Sequence, residues 1–411
     1  MSASKPKAIP PPSAKSAVTT PHSQIRNPQS EIILLAVTGM SPAILTETVW
    51  ALAQEKPAII PKRVIVLTTT LGRQKILQSL FSPMPLFKDQ TAWEALRTAL
   101  AKAGHDLEGR LQFGTTHDDI RVLTTLNRTT GATVEMDDIR TPAENEAAAN
   151  FLLEQVRTIV ENEDEQLIAS MAGGRKTMGA LLYACMNLVA RETDRLTHVL
   201  VNDPFDNLPD FFFPNQPGSK LTDRSGKTVL ASKARIELAD VPFVPLRNLF
   251  LRQLNRKAGT FTRLVESCRE NIRQQAAQKV KLTLETRKSQ IEVNGTIVPL
   301  APREHLLVYF LANRAKENEP ALPSYKDAAP LLEEFRKQLL QDAPKNDLSD
   351  WRQSDGMQSR LDDEQEIRRA LSNIKKKLMN AGGDAIYLAH CLPQKGRCSL
   401  DVSGPLIYIK K

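Results

Sequence analysis

The residue types best suited to chemistry stand in one short turn, Ser170-Met-Ala-Gly-Gly-Arg-Lys-Thr177. The apolar run 167–171 before it predicts a buried strand, and the run 178–189 after it predicts a helix packed on a sheet. Glycines let a backbone approach a ligand closely, and a helix N-terminus offers free N–H groups at its positive end. With Arg175 and Lys176, the turn is a candidate phosphate site, although an arginine between glycine and lysine departs from the P-loop pattern. The alternative is a tight strand–helix connection with solvated charges.

A second turn, Thr38-Gly-Met-Ser-Pro42, follows the first strong strand pattern, residues 31–37, and precedes a predicted helix that ends near residue 54. In an open parallel sheet, ligands lie at the carboxyl ends of the strands, so both turns are expected at one crevice. They would bring a hydroxyl and a lysine to the same place. Ser41 before Pro42 also fits a helix N-cap, which gives the serine a purely structural alternative.

These two turns, together with Val199-Leu-Val-Asn-Asp-Pro-Phe205, resemble the CRISPR-associated Rossmann fold (CARF) family, most closely its ring nuclease branch. The resemblance covers about residues 30–250 and implies a Rossmann-like α/β domain with a mostly parallel sheet. Proteins of this type bind cyclic oligoadenylate, the second messenger of type III CRISPR systems, and ring nucleases cut cyclic tetra-adenylate without a metal or other cofactor. The resemblance assigns the catalytic serine to Ser41 and the catalytic lysine to Lys176. It assigns ligand contacts to Thr38, Gly39, Met40, Gly173, Gly174, Arg175, Thr177, Asn202 and Asp203.

The implied reaction is an intramolecular transesterification, because each linkage of the ring carries its own nucleophile, the ribose 2′-OH. The product is di-adenylate with a 2′,3′-cyclic phosphate, and its formation would switch off type III signalling. Lys176 would stabilise charge on the phosphorane oxygens, and Ser41 would bind the phosphate or orient the hydroxyl. No histidine base is visible, so slow turnover is expected. A two-fold symmetric ring also implies a homodimer with the site across its axis.

Composition indicates a multi-domain protein of the cytoplasm. The chain has 411 residues, 41% of them hydrophobic, and a formal charge of +8, which favours polyanionic partners. Its four cysteines, Cys185, Cys268, Cys391 and Cys398, show neither metal-ligand nor disulfide spacing, as expected in a reducing compartment. No apolar run is long enough for a membrane span, and no secretory signal is evident. Residues 1–30, rich in proline, serine, alanine and lysine, predict a disordered tail.

Strand and helix patterns alternate through the first half of the chain, as in a doubly wound sheet. Residues 63–70 predict the second strand, and Thr141-Pro-Ala-Glu144 has the spacing of a capping box that opens a helix ending near residue 160. The acidic pair Asp137-Asp138 before it is better explained by a solvated loop than by a metal site, since no histidine or further carboxylate is suitably spaced. The predicted divisions are a tail at 1–30, a CARF domain at 31–246 with a hairpin near 223–226, a helical connector at 247–280, and a last domain at 281–411.

The last domain has a different pattern. Residues 282–285 and 290–300 predict a small antiparallel sheet that turns at Asn294-Gly295. Helices are expected at 302–314, 328–341 and 366–379, and a final hairpin at about 385–409, with Lys395 and Arg397 near its tip. This order resembles the winged helix of OmpR-type response regulators.

The third of these helices is amphipathic, with Ile367, Leu371, Ile374 and Leu378 on one face. In the winged-helix family the third helix reads the major groove of double-stranded DNA, so the basic residues of this helix are candidate DNA contacts. The alternatives are a solvated face and a dimerisation module. The candidate residues are Arg368, Arg369, Lys375, Lys376 and Lys377.

Other enzyme classes fit the sequence less well. Arg191 and His198 have the spacing of a HEPN ribonuclease motif, but they straddle a helix end and a strand inside the predicted α/β domain. No metal-nuclease cluster stands out after residue 250, and His390 beside Cys391 lacks a base–orienter partner. Two hypotheses therefore remain: a ring nuclease, and a cyclic oligoadenylate-sensing, DNA-binding transcription regulator without cleavage. Both activities could belong to one chain.

Overall fold

The structure, a computed structural model, describes residues 30–127, 129–217, 220–223, 225–249, 260–342, 363–394 and 396–410. The predicted tail, apart from its last residue, lies outside these ranges. The chain divides into two compact units between Thr262 and Arg263. This boundary falls within a helix, Phe261–Lys279, in the segment assigned to the connector.

The described part of the first unit contains ten strands and five helices longer than one turn. The strands are β1 (Glu31–Val37), β2 (Arg63–Thr68), β3 (Ile120–Val122), β4 (Thr124–Leu126), β5 (Thr133–Glu135), β6 (Glu165–Ser170), β7 (Arg195–Val201), β8 (Lys220–Thr222), β9 (Thr228–Leu230) and β10 (Ile236–Asp240). The helices are α1 (Ala43–Ala53), α2 (Thr70–Leu80), α3 (Ala92–Lys102), α4 (Pro142–Val160) and α5 (Lys176–Val189).

Six of these strands form a mostly parallel sheet in the order β10-β7-β6-β1-β2-β3, which confirms the α/β class. β10 pairs antiparallel with β7, and the other pairs are parallel. The chain runs from β1 outward through β2 to β3, then returns to the other side of β1 for β6 and β7. This reversal of direction opens a crevice at the carboxyl ends of β1 and β6.

Helices cover the sheet on both faces. Leu34 and Ala36 of β1 belong to a buried cluster with α1, α2 and α3. Leu35 and Val37 point to the opposite face and are equally buried. On that face α4 and α5 pack together and reach β6 and β1. Right-handed crossovers in opposite directions from β1 require this arrangement, and both-sided burial explains why β1 is apolar almost throughout.

Two local predictions in this unit are confirmed and one is corrected. Thr141 and Glu144 form the capping box at the start of α4, and β8 pairs with β9 as the hairpin around residues 223–226. The second strand ends at Thr68 rather than at residue 70. The reason is that the Thr69 side chain accepts a hydrogen bond from the Gly72 N–H and so begins α2.

The second unit has a four-stranded sheet in the order β13-β12-β11-β14, built from β11 (Leu282–Glu285), β12 (Gln290–Val293), β13 (Thr296–Pro299) and β14 (Ile407–Lys410). Asn294 and Gly295 both have positive φ, 49° and 88°, at the predicted turn. With the boundary helix counted as α6, the other helices that the structure describes are α7 (Pro302–Lys316), α8 (Tyr325–Asp342), α9 (Glu364–Ala381) and α10 (Ala385–Cys391).

The apolar face predicted for α9 is confirmed, since Ile367, Leu371, Ile374 and Leu378 are all buried. The predicted final hairpin at 385–409 is wrong. Its first part is α10, in which Ala385, Leu388 and Ala389 are buried at helical spacing. Its last part is β14, which pairs in parallel with β11. Between them only single bridges occur, such as that of Gln394 with Arg397, and Lys395 lies outside the described residues.

Candidate site at the carboxyl edge of the first sheet

The two turns singled out by the sequence meet at the crevice between β1 and β6. Ala36 pairs with Ser170 at the ends of these strands, so both turns leave the sheet side by side. A Cβ on Gly39 would lie 3.2 Å from Cα of Gly174, and a Cβ on Gly173 would lie 3.2 Å from Cα of Thr38. Gly174 also has a φ of 81°. A side chain on either glycine would crowd the neighbouring backbone, so the two turns form one closely packed unit.

A third strand end, that of β2, supports the first turn. The Thr68 hydroxyl donates to the Thr38 carbonyl at 2.8 Å, and the Thr38 N–H donates to the Leu67 carbonyl at 3.2 Å. A Cβ on Gly72 would lie 1.9 Å from the Thr68 Oγ1 and 3.4 Å from Cα of Gly39. A glycine in the first turn of α2, three residues after a capping threonine, is the signal that could have found this support.

The helices that start at the crevice lack side-chain caps, whereas their neighbours have them. Thr69, Thr91 and Thr141 cap α2, α3 and α4. The N-cap of α1 is Pro42 and that of α5 is Arg175, and neither makes a capping hydrogen bond. The interpretation of Ser41 as an N-cap is therefore wrong. The first N–H groups of α1 and α5 receive no side-chain cap, and each helix end can stabilise an anion.

Ser41 and Lys176 are exposed beside these helix ends. Within the described ranges, neither the Ser41 hydroxyl nor the Lys176 ammonium has a hydrogen-bond or ion-pair partner; the Ser41 carbonyl accepts from the Thr38 hydroxyl at 3.4 Å. Thr177 is exposed as well, and Met40 is 64% exposed at the tip of the first turn. The turns thus present a hydroxyl, an ammonium and an apolar side chain to a ligand arriving from solvent.

Arg175 is not solvated freely, because Asp138 holds it. The Nε of Arg175 donates to Asp138 Oδ1 at 2.7 Å, and Nη2 donates to Oδ2. This hydrogen bonding, aided by nearby positive charge, lowers the pKa of Asp138 to about 2. The interpretation of the acidic pair as a solvated loop is therefore wrong for Asp138 and holds for exposed Asp137. Across the described residues, no three histidine, cysteine or acidic side chains gather as a metal site.

Asn202 and Asp203 follow β7, one strand further from the crevice. The Asn202 side chain accepts from the Arg235 N–H at 2.6 Å and donates to the Asp203 carbonyl at 3.1 Å, so it fixes its own loop. Asp203 is exposed. In the part of the chain that is described, no hydrogen bond joins either residue to the two turns.

A buried carboxyl on α1, Glu47, was not anticipated from the sequence. Burial, assisted by the negative charge of Asp206, raises its pKa to about 8. Asp206 belongs to the segment that follows β7, so that segment approaches α1 at Glu47. An acidic residue one turn into a helix without other charged side chains was the available signal.

In the second unit, the five basic residues proposed for DNA differ in their availability. Arg368 pairs with Glu364 and Arg369 with Glu366, each along α9 itself. Lys377 is half-buried and donates at 2.7 Å to Glu304, whose side chain is only 4% exposed. Lys375 and Lys376 are exposed and have no ion pair among the described residues. Lys377 therefore belongs to the structure of this unit, and two lysines remain fully available to a polyanion.

An open, mostly parallel sheet with two touching glycine-rich turns and two uncapped helix ends at its switch point is an arrangement in which α/β proteins place ligand sites. Residues 41–275 match the family described as CRISPR-associated protein NE0113, and the chain belongs to this family. The CRISPR association implied by the turns is thereby confirmed. No curated protein matches the chain. Among the described residues, no helix combines the length and apolarity that a membrane crossing requires.

Proposed function

We propose that this chain is a CRISPR ring nuclease of the CARF type, which binds cyclic tetra-adenylate at the crevice and opens it. The observation that carries the proposal is the pairing of Ser41 with Lys176. The two residues stand on turns that touch through Gly39 and Gly174, and both side chains lack partners among the described residues. Membership of a CRISPR-associated family supports this choice of ligand over other phosphate compounds.

The proposed reaction transfers a phosphoryl group within the ring, from the 5′-oxygen to the ribose 2′-oxygen. The ribose 2′-oxygen attacks the adjacent phosphorus, the bond from phosphorus to the 5′-oxygen breaks, and the 2′-proton ends on that 5′-oxygen. Lys176 places a compact cation against the phosphorane oxygens, and the N–H groups at the start of α5 add donors. Ser41 hydrogen-bonds the phosphate or aligns the 2′-hydroxyl for in-line attack. No step needs a metal, because the substrate supplies its own nucleophile.

A homodimer fits the symmetry of this substrate. Two copies of the crevice related by a two-fold axis would contact opposite linkages of a four-membered ring. Cutting both linkages gives two di-adenylate molecules, each with a 2′,3′-cyclic phosphate. A cytoplasmic location follows from the role in ending type III signalling.

The decisive experiment incubates the protein, in excess and in EDTA, with cyclic tri-, tetra- and hexa-adenylate, and reads the products by mass. We expect cyclic tetra-adenylate to become di-adenylate cyclic phosphate, and Ser41→Ala to slow this conversion. Rings that bind tightly but remain uncut after hours would show that the protein is a sensor and not a nuclease. Absence of binding to any ring would refute the choice of ligand.

A second candidate function is ligand-controlled DNA binding by the second unit, which we propose has a winged-helix fold. The observation in its favour is that Lys375 and Lys376 lie exposed and unpaired, within the described ranges, on the amphipathic helix α9. Contacts from two lysines to phosphates would bind duplex DNA with a clear dependence on salt. Electrophoretic shift of genomic fragments at low and moderate salt tests this function, and no shift at low salt would refute it.

A further inference from the structure

A segment that begins with β5 and ends just before α4 crosses the edge of the candidate site. We call residues 133–140 the strap. At one end the Met136 carbonyl accepts from the Thr70 N–H at 2.9 Å, and Glu135 binds Arg73 through two bonds of 2.8 Å. These contacts attach the strap to the start of α2. At its other end Asp138 binds Arg175 at the start of α5. The strap therefore links the helices that follow β2 and β6, on either side of β1.

The geometry of the Asp138–Arg175 pair leaves part of the guanidinium open. Asp138 engages one edge of the guanidinium, the one formed by Nε and Nη2. Nη1 has no partner among the described residues, and the Arg175 side chain is 55% exposed. An arginine gripped along one edge keeps N–H donors on the other side in a fixed direction, which suits a phosphate oxygen.

Asp138 is itself held in place. Its Oδ1 accepts from the Ile139 N–H at 2.8 Å, and Oδ2 lies 3.3 Å from Nε of Arg140. Its side chain is only 16% exposed, although Arg140 and Arg175 are both largely in solvent. The lowered pKa of Asp138 keeps it ionised throughout the ordinary pH range. Asp138 is thus a fixed acceptor that holds an exposed arginine in one orientation.

We propose that Asp138 is a positioning residue, which orients Arg175 so that the open Nη1 edge contacts a phosphate of the bound ring. This inference rests on the proposed function, because it names the role of a residue at that same site. It assigns to the strap, through Asp138 and 37 residues before Arg175, a part in ligand binding that neither turn reveals. The opposite possibility is that Asp138 masks Arg175 and competes with the ligand.

Binding of cyclic tetra-adenylate to Asp138→Ala and Asp137→Ala separates these possibilities. Each variant removes one negative charge from the strap, so general electrostatics would tighten the binding of a polyanion in both. Asp137 is exposed and makes only a 3.6 Å contact with Arg140, which makes Asp137→Ala the matched control. We expect Asp137→Ala to bind as well as wild type or slightly better. Asp138→Ala should bind about 10-fold more weakly, against the direction of the charge change, because a charge-assisted contact loses its orientation.

Arg175→Ala and the double variant complete the test. If Asp138 acts through Arg175, the double variant binds no more weakly than Arg175→Ala alone. Arg175→Lys leaves the strap sequence unchanged but lacks the planar guanidinium with its paired donors. It should bind the ring about as weakly as Asp138→Ala does. In steady-state cleavage these variants should raise KM and leave kcat within about 3-fold, whereas a merely misfolded protein loses both and melts early.

Tighter binding by Asp138→Ala would show masking and overturn the proposal, and so would additive effects in the double variant. A wild-type protein that binds none of the rings would refute the proposed function and this inference together. If wild type binds the ring and Asp138→Ala binds it equally well, the inference is overturned but the proposed function is not.

Discussion

Replacing Gly173 with alanine is expected to slow ring opening without unfolding the protein, because the new Cβ would enter the contact between the two turns. That Cβ would lie 2.4 Å from Cδ1 of Ile44, 3.0 Å from Oγ1 of Thr38 and 3.2 Å from Cα of Thr38. Ile44 ends in a flexible side chain that can rotate. Thr38 is fully buried, so the glycine-rich turn has to move away from it.

The size of the effect follows from these distances. Ordinary contact begins near 3.4 Å, so relief of the Thr38 contact needs a shift of about 0.4 Å, and relief of the Ile44 contact needs about 1 Å if that side chain stays in place. A misplacement of about 1 Å costs roughly 10²-fold in rate. If the barrier rises in proportion to the shift, about 0.4 Å costs roughly 6-fold. Gly173→Ala should therefore cleave about 6-fold to about 100-fold more slowly than wild type.

Two further variants make this estimate sharp. Ile44→Val removes the Cδ1 atom, so the double variant should recover to the smaller, roughly 6-fold deficit. Gly179→Ala makes the same chemical change within α5, but its Cβ would meet Met171 at ordinary contact distances, 3.4 Å from Cε, 3.6 Å from the carbonyl oxygen and 3.8 Å from Cβ. That control should cleave normally and melt slightly higher, because alanine favours helix more than glycine does.

The assay is single-turnover cleavage of labelled cyclic tetra-adenylate in EDTA, with the melting temperature measured alongside. The reasoning fails if Gly173→Ala cuts at the wild-type rate while melting normally, since the close approach of the turns would then be irrelevant to the reaction. It also fails if Gly179→Ala slows cleavage as much as Gly173→Ala does.

Four other outcomes are expected. Lys176→Ala should lower the single-turnover rate by about 10²-fold or more while weakening ring binding far less. If the rate and the affinity fall by the same factor, Lys176 has no role specific to the transition state. Lys375→Ala with Lys376→Ala should weaken duplex DNA binding and flatten its salt dependence at an unchanged melting temperature. Lys377→Ala should instead destabilise the protein by about 1 to 3 kcal/mol, because it leaves the buried Glu304 carboxylate without its ion-pair partner, and a calorimetric transition identical to wild type would contradict this. Glu47 has a pKa of about 8 in the folded protein, against an ordinary value of 4.5. Between about pH 4.5 and about pH 8, unfolding releases its proton, so the stability of the wild type should fall progressively as the pH rises. The melting temperature of Glu47→Gln relative to wild type should therefore rise over that range.

Features governed by a few neighbouring residues could be predicted from the sequence. The capping box at Thr141 and the turn at Asn294 each depend on residues within about one turn of chain, and both stand as predicted. The amphipathic face of α9 is likewise local. Placing both turns at one sheet edge required only the rule that parallel strands end together. The reversal of strand order at β1, seen in the sheet, then makes the two turns direct neighbours.

The errors arose where two local interpretations compete. Residues 385–391 contain isoleucine and tyrosine, which favour strands, yet the buried positions recur at helical spacing and packing decides for a helix. Ser41 before a proline has the sequence of an N-cap, but the chain begins α1 one residue later, at Ala43 after Pro42. That shift releases the serine hydroxyl from the helix, and no propensity scale distinguishes the two positions.

Which cations remain available to a ligand is decided by carboxylates far away in the chain, and this is what the sequence could not show. Arg175 is oriented by Asp138, 37 residues earlier, and Lys377 is held by Glu304, 73 residues earlier. In the sequence, the basic residues of the glycine-rich turn and of α9 look equivalent. In the fold, some of them form ion pairs with carboxylates of the same chain. Lys176, Lys375 and Lys376 have no such partner within the described ranges. A net charge of +8 therefore overstates what a polyanion can use, and substitutions at these three lysines should change binding with the least disturbance of the fold.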